Sequence, residues 1–184
     1  MPSARYVVAV ILLVTCAAAC RRDDDSSTLR GRGLKPASLS NVDRASVYNA
    51  ALRAMFDMDD PALWLLLDPR FLPRTSGVGI GSPMPGGLSS TLRGQGVVKG
   101  TCVAPAGGTK KTLLCRAERP GYVVRFSDVF ARSSDSVEVY VFVQKYDTPE
   151  SGATEALRFE KAYQVVRQNG AWRAAKEGRV PRPS

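Results

Sequence analysis

The chain has 184 residues, a formal net charge of +9, four cysteines and no histidine. Its length fits one domain with accessory segments, because domains usually take ~100–150 residues. The hydrophobic share of 44% is enough for a packed core and too small for a multi-span membrane protein. The missing histidine excludes Ser-His-Asp and Cys-His catalysis, histidine-ligated zinc and imidazole-based pH switching within the chain.

The first 19 residues have the organisation of a secretory signal. Arg5 makes the start positive, an uncharged and mostly aliphatic run covers 6–14, and small residues follow. This run has the length of a signal-peptide core and is shorter than the ~20 residues that cross a bilayer. The pattern therefore predicts export, with 1–19 removed as a signal peptide.

Residues 17–20, with the sequence Ala-Ala-Ala-Cys, resemble the lipobox of bacterial lipoproteins. The resemblance implies cleavage before Cys20 and a diacylglyceryl group on its sulfur, so that a membrane becomes a partner through the N-terminal lipid. The motif departs from the usual one, which has leucine at the position of Ala17. Cys16 ends a competing match, although a large threonine precedes it. The other interpretation is an ordinary cleaved signal that leaves Cys20 as a free thiol.

Composition divides the mature chain into a tether and one domain. Residues 20–39 are polar, so we expect a lipid-anchored flexible tether there. Residues 40–180 are expected to form a single α+β domain. It begins with an amphipathic helix over 40–58, where apolar residues recur at helical spacing after a capping-box pattern. A long loop rich in glycine and proline follows over 69–100, without the features of a phosphate-binding loop.

The second half of the chain reads as β-structure. A short apolar run at 62–67 already favours a buried strand, and further strands are expected over 122–132, 137–147, 157–168 and 171–176. The clearest turn signal is the Asn-Gly pair at 169–170, which is typical of a two-residue hairpin. The predicted fold is α+β: an N-terminal helix packed on a curved antiparallel sheet, arranged as a meander.

One helix followed by such a meander resembles the cone fold of nuclear-transport-factor and ketosteroid-isomerase-like proteins. Residues 162–173, with Asn-Gly at 169–170 followed by Trp172, are similar to the closing hairpin of many small secreted bacterial proteins. The resemblance implies that a curved sheet wraps a helix over 40–178. Because that fold includes isomerases, binding modules and inert scaffolds, it implies no particular function.

Cys102 and Cys115 are the two cysteines of the expected domain. In an exported protein we expect a structural disulfide between them, worth ~3 kcal/mol by loop closure. A redox-active pair is the alternative, but such pairs favour Cys-X-X-Cys spacing. Two thiolates do not complete a zinc site without histidine unless carboxylates join them. We predict no metal and no cofactor.

The expected strand register predicts one candidate pocket. Asp128, Tyr140 and Tyr163 fall on one cross-strand row, and Lys161 lies in the next row of the same face. A carboxylate and an ammonium in an aromatic cone could orient a small polar ligand, and Asp128 could act as a base if burial raised its pKa. A solvent-facing strand or a bulge at Asp128 is the alternative, and a one-residue slip would separate the row.

The 26 Lys and Arg residues are spread along the chain. In an exported protein, anionic lipids or acidic envelope polymers are more accessible than nucleic acid, so no nucleic-acid partner is expected. The sequence thus predicts a lipoprotein of the bacterial cell envelope, facing the periplasm or the exterior. Its domain is expected to bind an envelope protein, a polymer or a small ligand, with no catalytic residue assigned. The alternative is a small hydrolase or isomerase that uses the Asp128 pocket.

Overall fold

The computed structural model describes residues 29–75, 81–103, 115, 119–146 and 157–180. The predicted signal peptide, Cys20 and the start of the predicted tether lie outside these ranges. Within them the chain is α+β, with two helices and eight strands in one mixed sheet. The helices are α1 (Asn41–Arg53) and α2 (Gly86–Gly94), and the strands are β1 (Lys35–Pro36), β2 (Leu65–Leu67), β3 (Gly100–Thr101), β4 (Gly121–Phe126), β5 (Phe130–Ser133), β6 (Ser136–Tyr146), β7 (Arg158–Gln168) and β8 (Ala171–Gly178).

β6 is the central strand of the sheet. Along one edge it pairs antiparallel with β4 and β5, and along the other with β7, which pairs in turn with β8. β1 pairs with β5, whereas β2 lies parallel to both β3 and β4. The prediction of an entirely antiparallel meander is therefore wrong at the β2 edge. β2 and β4 are joined by a long connection through α2, and parallel strands require such crossovers instead of tight turns.

The side chains of β6 define two faces of the sheet. Four buried valines alternate along the strand and point to one side, which we call the helix face because α1 packs on it with α2 beside α1. These are Val137, Val139, Val141 and Val143. The residues between them, including Glu138 and Tyr140, point to the opposite side, which we call the outer face.

α1 begins at a side-chain cap. The Ser40 hydroxyl accepts a hydrogen bond from the Asp43 amide at 3.1 Å and donates to the Asp43 carboxylate at 2.8 Å. The helix ends at Arg53, five residues before the predicted end, because aspartate side chains there accept hydrogen bonds from nearby amides and form turns. Asp60 Oδ1, for example, accepts from the Ala62 amide at 2.8 Å.

The Gly/Pro-rich segment 69–100 is predicted to be a long loop, but part of it forms a helix. It contains α2, whose Leu88 and Leu92 are fully buried in the same core as α1. The two glycines that open this helix have a low helix propensity. Burial of two leucines one turn apart offsets that cost, and this long-range packing has no local sequence signal.

The prediction of a flexible tether is wrong for 29–39. These residues, which we call the N-terminal strap, begin on the outer face, pair with β5 through β1 and reach the helix-face core at Ala37. Arg30 in the strap is only 4% exposed, and its guanidinium forms two hydrogen bonds to Glu160 at 2.6 and 2.7 Å. A polar segment can therefore be ordered by charged hydrogen bonds, which hydropathy does not reveal. Residues 20–28 lie outside the described ranges.

The disulfide prediction is confirmed. Cys102 and Cys115 are joined at an S–S distance of 2.01 Å. The bridge lies on the outer face in a cluster with Leu66, Tyr146 and the half-buried Trp64. It thus ties the end of β3 to the segment that leads into β4.

Candidate functional site

The predicted pocket depended on Tyr140 and Tyr163 being cross-strand neighbours. In the structure Tyr140 lies opposite Ala162, and Tyr163 lies opposite Val139. The register of β6 against β7 is thus shifted by one residue from the prediction, and the two tyrosines point to opposite faces of the sheet. The shift lets the valines of β6 share the helix face with Tyr163 and Val165 of β7.

Asp128 lies in the break between β4 and β5 and not within one long strand. Its Oδ1 accepts hydrogen bonds from Arg44 Nη1 at 2.5 Å and from the Val129 amide at 2.9 Å. Arg44 also donates to the carbonyl of Ala37 in the N-terminal strap at 3.0 Å. Asp128 therefore joins α1, the strand break and the strap through one guanidinium.

The other three predicted pocket residues are also separated. The Tyr140 hydroxyl donates a hydrogen bond to Glu138 and accepts one from the Gly31 amide. Burial, and to a smaller extent the hydrogen bond to Glu138, raises the pKa of Tyr140. Lys161 Nζ pairs with Glu177 at 3.0 Å near the surface, and this hydrogen bond raises the lysine pKa. Tyr163 is 3% exposed, and burial raises its pKa. The pocket prediction is wrong, because Tyr140 and Tyr163 lie on opposite faces of the sheet, and Asp128 and Lys161 bind separate partners.

Side chains fill the space between α1 and the sheet, where a cone-shaped fold could hold a ligand. The rings of Tyr48 and Phe126 stack with their centroids 4.3 Å apart. The Tyr48 hydroxyl donates to the carbonyl of Ser127 at 2.9 Å, and burial raises its pKa. Val129 is also fully buried in this core. The aromatic interior is therefore a packed core, at least around the strand break.

An open groove of about 820 Å³ lies between α1 and the start of β8. We call it the α1–β8 groove. One wall is a stripe of α1 at helical spacing, and the other is a run of consecutive residues at the hairpin end of β8. Its lining comprises Val42, Asp43, Ser46, Asn49, Ala50, Arg53, Ala54, Gly170, Ala171, Trp172, Arg173 and Ala174.

Trp172 anchors one end of this groove. Its indole N–H donates to Asp43 at 3.4 Å, and the Arg167 guanidinium lies 5.8 Å from the ring centroid. Hydrogen bonds from Ser40 and then from Trp172 lower the pKa of Asp43. Sequence reasoning identified the hairpin and Trp172 but missed the groove. The available signal was the polar stripe at helical spacing on α1, formed by Ser46, Asn49 and Arg53.

No metal site replaces the missing pocket in the part of the chain that the structure describes, where no three carboxylate or cysteine side chains cluster. The acidic residues after α1 have other roles. Asp59 pairs with Arg53 at 3.2 Å, and Asp57 accepts a hydrogen bond from the Asp59 amide at 3.1 Å. These carboxylates stabilise a turn.

In the comparisons with known proteins, no family model, no curated protein and no solved structure matches this chain. Among the described helices, neither combines the length and the apolar composition that a bilayer crossing requires.

Proposed function

We propose that this chain is an exported lipoprotein of the bacterial cell envelope, whose domain is a non-enzymatic binding module. The observation that carries the proposal is the open α1–β8 groove beside a core that is filled with side chains. The signal-like residues 1–19, the lipobox-like segment ending at Cys20 and the Cys102–Cys115 disulfide support export, since disulfides persist in oxidising compartments.

Lipid on Cys20 would hold the domain close to the membrane. The strap is fixed to the sheet from Arg30 onward by Glu160, so the stretch from Cys20 to Leu29 sets the greatest possible distance between the proposed lipid and the sheet. Even fully extended, such a stretch spans at most about 30 Å. The domain would therefore meet partners near the membrane surface and not at long range.

We also propose that the domain has the cone fold of nuclear-transport-factor-like proteins. Its support is that α1 packs on the face of the antiparallel strands β4, β6, β7 and β8. The alternative, a hydrolase or isomerase, needs an open interior with an accessible acid or base. Asp128 is instead bound to Arg44, and Tyr48 occupies the space beside it, so the geometry favours binding.

Mass spectrometry of the full chain, produced in a bacterial host with a lipoprotein-processing pathway, tests the anchor. We expect a mature N-terminus at Cys20 that carries a diacylglyceryl group, and release from the membrane fraction in Cys20→Ala. Cys16→Ala is the matched control and should be processed normally. An unmodified mature N-terminus, or lipid lost only in Cys16→Ala, would contradict the Cys20 assignment.

Site-specific photo-crosslinking in the intact envelope tests the binding role. A photoreactive residue replaces Ser46, which lines the groove, or Lys35, an exposed residue of the strap. We expect discrete crosslinked species from position 46 and none from position 35. Equal labelling from both positions, or none from either, would contradict a binding role for the groove.

A further inference from the structure

β8 is an edge strand with an accessible backbone. Among the described residues it pairs with β7 alone. Side chains of successive strand residues alternate between the faces of a sheet, yet all of Gly170–Ala174 line the groove. The α1–β8 groove therefore runs along β8 and is not confined to the side chains on one face of the strand.

Backbone hydrogen bonding identifies which groups face that groove. The Arg167 amide donates to the carbonyl of Asp135, on the β6 side, at 2.8 Å. Arg167 lies directly opposite Trp172, so this is a non-hydrogen-bonded pair, and the backbone N–H and C=O of Trp172 point to the open edge. The Ala174 amide follows the carbonyl of Arg173, which faces β7 because Arg173 and Val166 are a hydrogen-bonded pair, so this amide points to the open edge too. The structure thus presents the N–H and C=O of Trp172 and the N–H of Ala174 in a row.

Charge indicates what kind of segment would fit. Five cations and two anions lie between residues 158 and 177: Arg158, Lys161, Arg167, Arg173 and Lys176 against Glu160 and Glu177. Both acids already pair with cations, Glu160 with Arg30 and Glu177 with Lys161. The groove itself is lined by two cations, Arg53 and Arg173, and by one carboxylate, Asp43; Arg53 pairs with Asp59, and Asp43 accepts a hydrogen bond from the Trp172 indole. The excess of positive charge on the hairpin therefore favours an acidic ligand.

We propose that β8 binds an extended, acidic polypeptide segment, which adds to the sheet as a further strand between β8 and α1. Backbone hydrogen bonds to Trp172 and Ala174 would supply affinity, and the surrounding arginines would select acidic side chains. This inference rests on the proposed binding function and names the partner class for the same groove.

A second copy of the chain fits this edge less well. Pairing two β8 strands would bring Arg173 and Lys176 of each copy towards those of the other, and like charges on adjacent strands are destabilising. The register shift beside Val165 also limits regular pairing to the short stretch before Lys176. A short acidic segment satisfies both constraints.

The direct test is binding of a fluorescein-labelled decapeptide of alternating glutamate and valine to the purified full chain with its disulfide intact. A peptide of alternating lysine and valine is the charge control, and a glutamate peptide interrupted by prolines is the pairing control. We expect the acidic strand-forming peptide to bind at least about tenfold more tightly than either control at low salt. Equal binding of the proline-interrupted peptide would overturn strand addition.

Amide hydrogen exchange locates the contact. Saturation with the acidic peptide should slow exchange at Trp172 and Ala174, whose amides face the groove, and leave Arg173, which pairs with β7, unchanged. Unchanged exchange at Trp172 and Ala174 would overturn the proposal. So would protection of these amides that rises with protein concentration in the absence of peptide, because it would show self-pairing.

Two pairs of variants separate the backbone from the charge. Ala174→Pro removes one outward amide and should weaken binding about fivefold, while Ala174→Ser keeps the amide and should bind normally.

On the α1 wall of the groove, Asn49→Asp should weaken binding of the acidic peptide and Asn49→Lys should strengthen it, each about threefold. Thermal unfolding establishes that each variant is folded. If Ala174→Pro is unfolded, the two Asn49 variants provide the test. The proposal requires that they change the affinity for the acidic peptide in opposite directions, and equal changes would overturn it.

The outcome also separates this inference from the proposed function. Crosslinks from position 46 without binding of the acidic peptide would overturn the acidic-strand inference and leave the binding function in place. Absence of both would overturn both.

Discussion

The two faces of the sheet are stabilised by different interactions. On the helix face, valines of β6 pack with Phe126 and with the aromatic and aliphatic side chains of α1. On the outer face, guanidinium groups bind carboxylates and backbone carbonyls. Arg30 bonds Glu160 and the carbonyls of Pro73 and Thr75, while Arg125 bonds the carbonyls of Arg70 and Phe71.

The difference explains how a chain rich in arginine forms a compact domain. Area burial drives packing on the helix face and is not directional. Packing on the outer face requires particular geometries, because a guanidinium removed from water must find acceptors for its hydrogen bonds. Substitutions on the outer face should therefore be costly when they leave one partner behind and cheap when they remove both.

The largest expected effect is on the outer face. Arg30→Ala leaves the half-buried Glu160 carboxylate without its partner, and should lower the free energy of unfolding by about 3 kcal/mol in urea denaturation. The double variant Arg30→Met with Glu160→Leu removes both charges and should recover most of this loss. If the double variant is as unstable as Arg30→Ala, the charge pair is not the cause. If Arg30→Ala is as stable as the parent, the strap is not held as described.

The next effect is on the helix face. Leu88→Ala in α2 should lower the free energy of unfolding by about 2–4 kcal/mol, because it leaves a cavity in the core. Ser90→Ala is the control, because Ser90 is an exposed residue of the same helix, and this substitution should change the free energy of unfolding little. A loss below about 0.5 kcal/mol for Leu88→Ala would contradict the burial of α2.

Sequence predicted best those features that depend on neighbouring residues. The Asn-Gly turn at 169–170 adopts positive φ values of 51° and 79°, and a two-residue turn fixes the pairing of Arg167 with Trp172. The predicted register of β6 against β7 was wrong, because the long connection between these two strands does not fix how they pair. The strap was missed because Arg30 and Glu160 are 130 residues apart.

The candidate site divides in the same way. Trp172 was identified because it follows a turn with a strong local signal. The pocket around Asp128 was wrong because it needed two correct registers and an uninterrupted strand, while the structure breaks the strand at 127–129. The partner of Asp128 is Arg44, on a helix 84 residues away, and no spacing rule connects them.

A smaller effect is expected from the hydrogen bond inside the helix-face core. Tyr48→Phe keeps the ring stacked on Phe126 but leaves the carbonyl of Ser127 without its donor. A buried acceptor without a partner costs about 1–2 kcal/mol, so the midpoint of urea unfolding should fall with no change in slope. Tyr122→Phe, at a half-buried ring that makes an aromatic contact to Phe56, is the control. An unchanged midpoint would show that water or another group satisfies Ser127.

The smallest effect should appear in the pH dependence at the start of α1, where helix and groove meet. Hydrogen bonds from Ser40 and Trp172 lower the pKa of Asp43 below its ordinary value. A carboxyl whose pKa is lower in the folded state binds fewer protons there than in the unfolded chain. Its contribution is therefore complete above the unfolded pKa of about 3.9 and is lost as pH falls through the folded pKa.

Asp43→Asn isolates this contribution, because the amide keeps the shape of the side chain but does not titrate. The stability difference between the parent and Asp43→Asn should be a few tenths of a kcal/mol at pH 6 and should shrink as pH falls below 4 in parallel urea titrations. Asp135→Asn, at an exposed turn, is the matched control. A difference that stays constant down to pH 2 would show that Asp43 acts through its shape alone, and that its charge does not couple the cap of α1 to Trp172 in the groove.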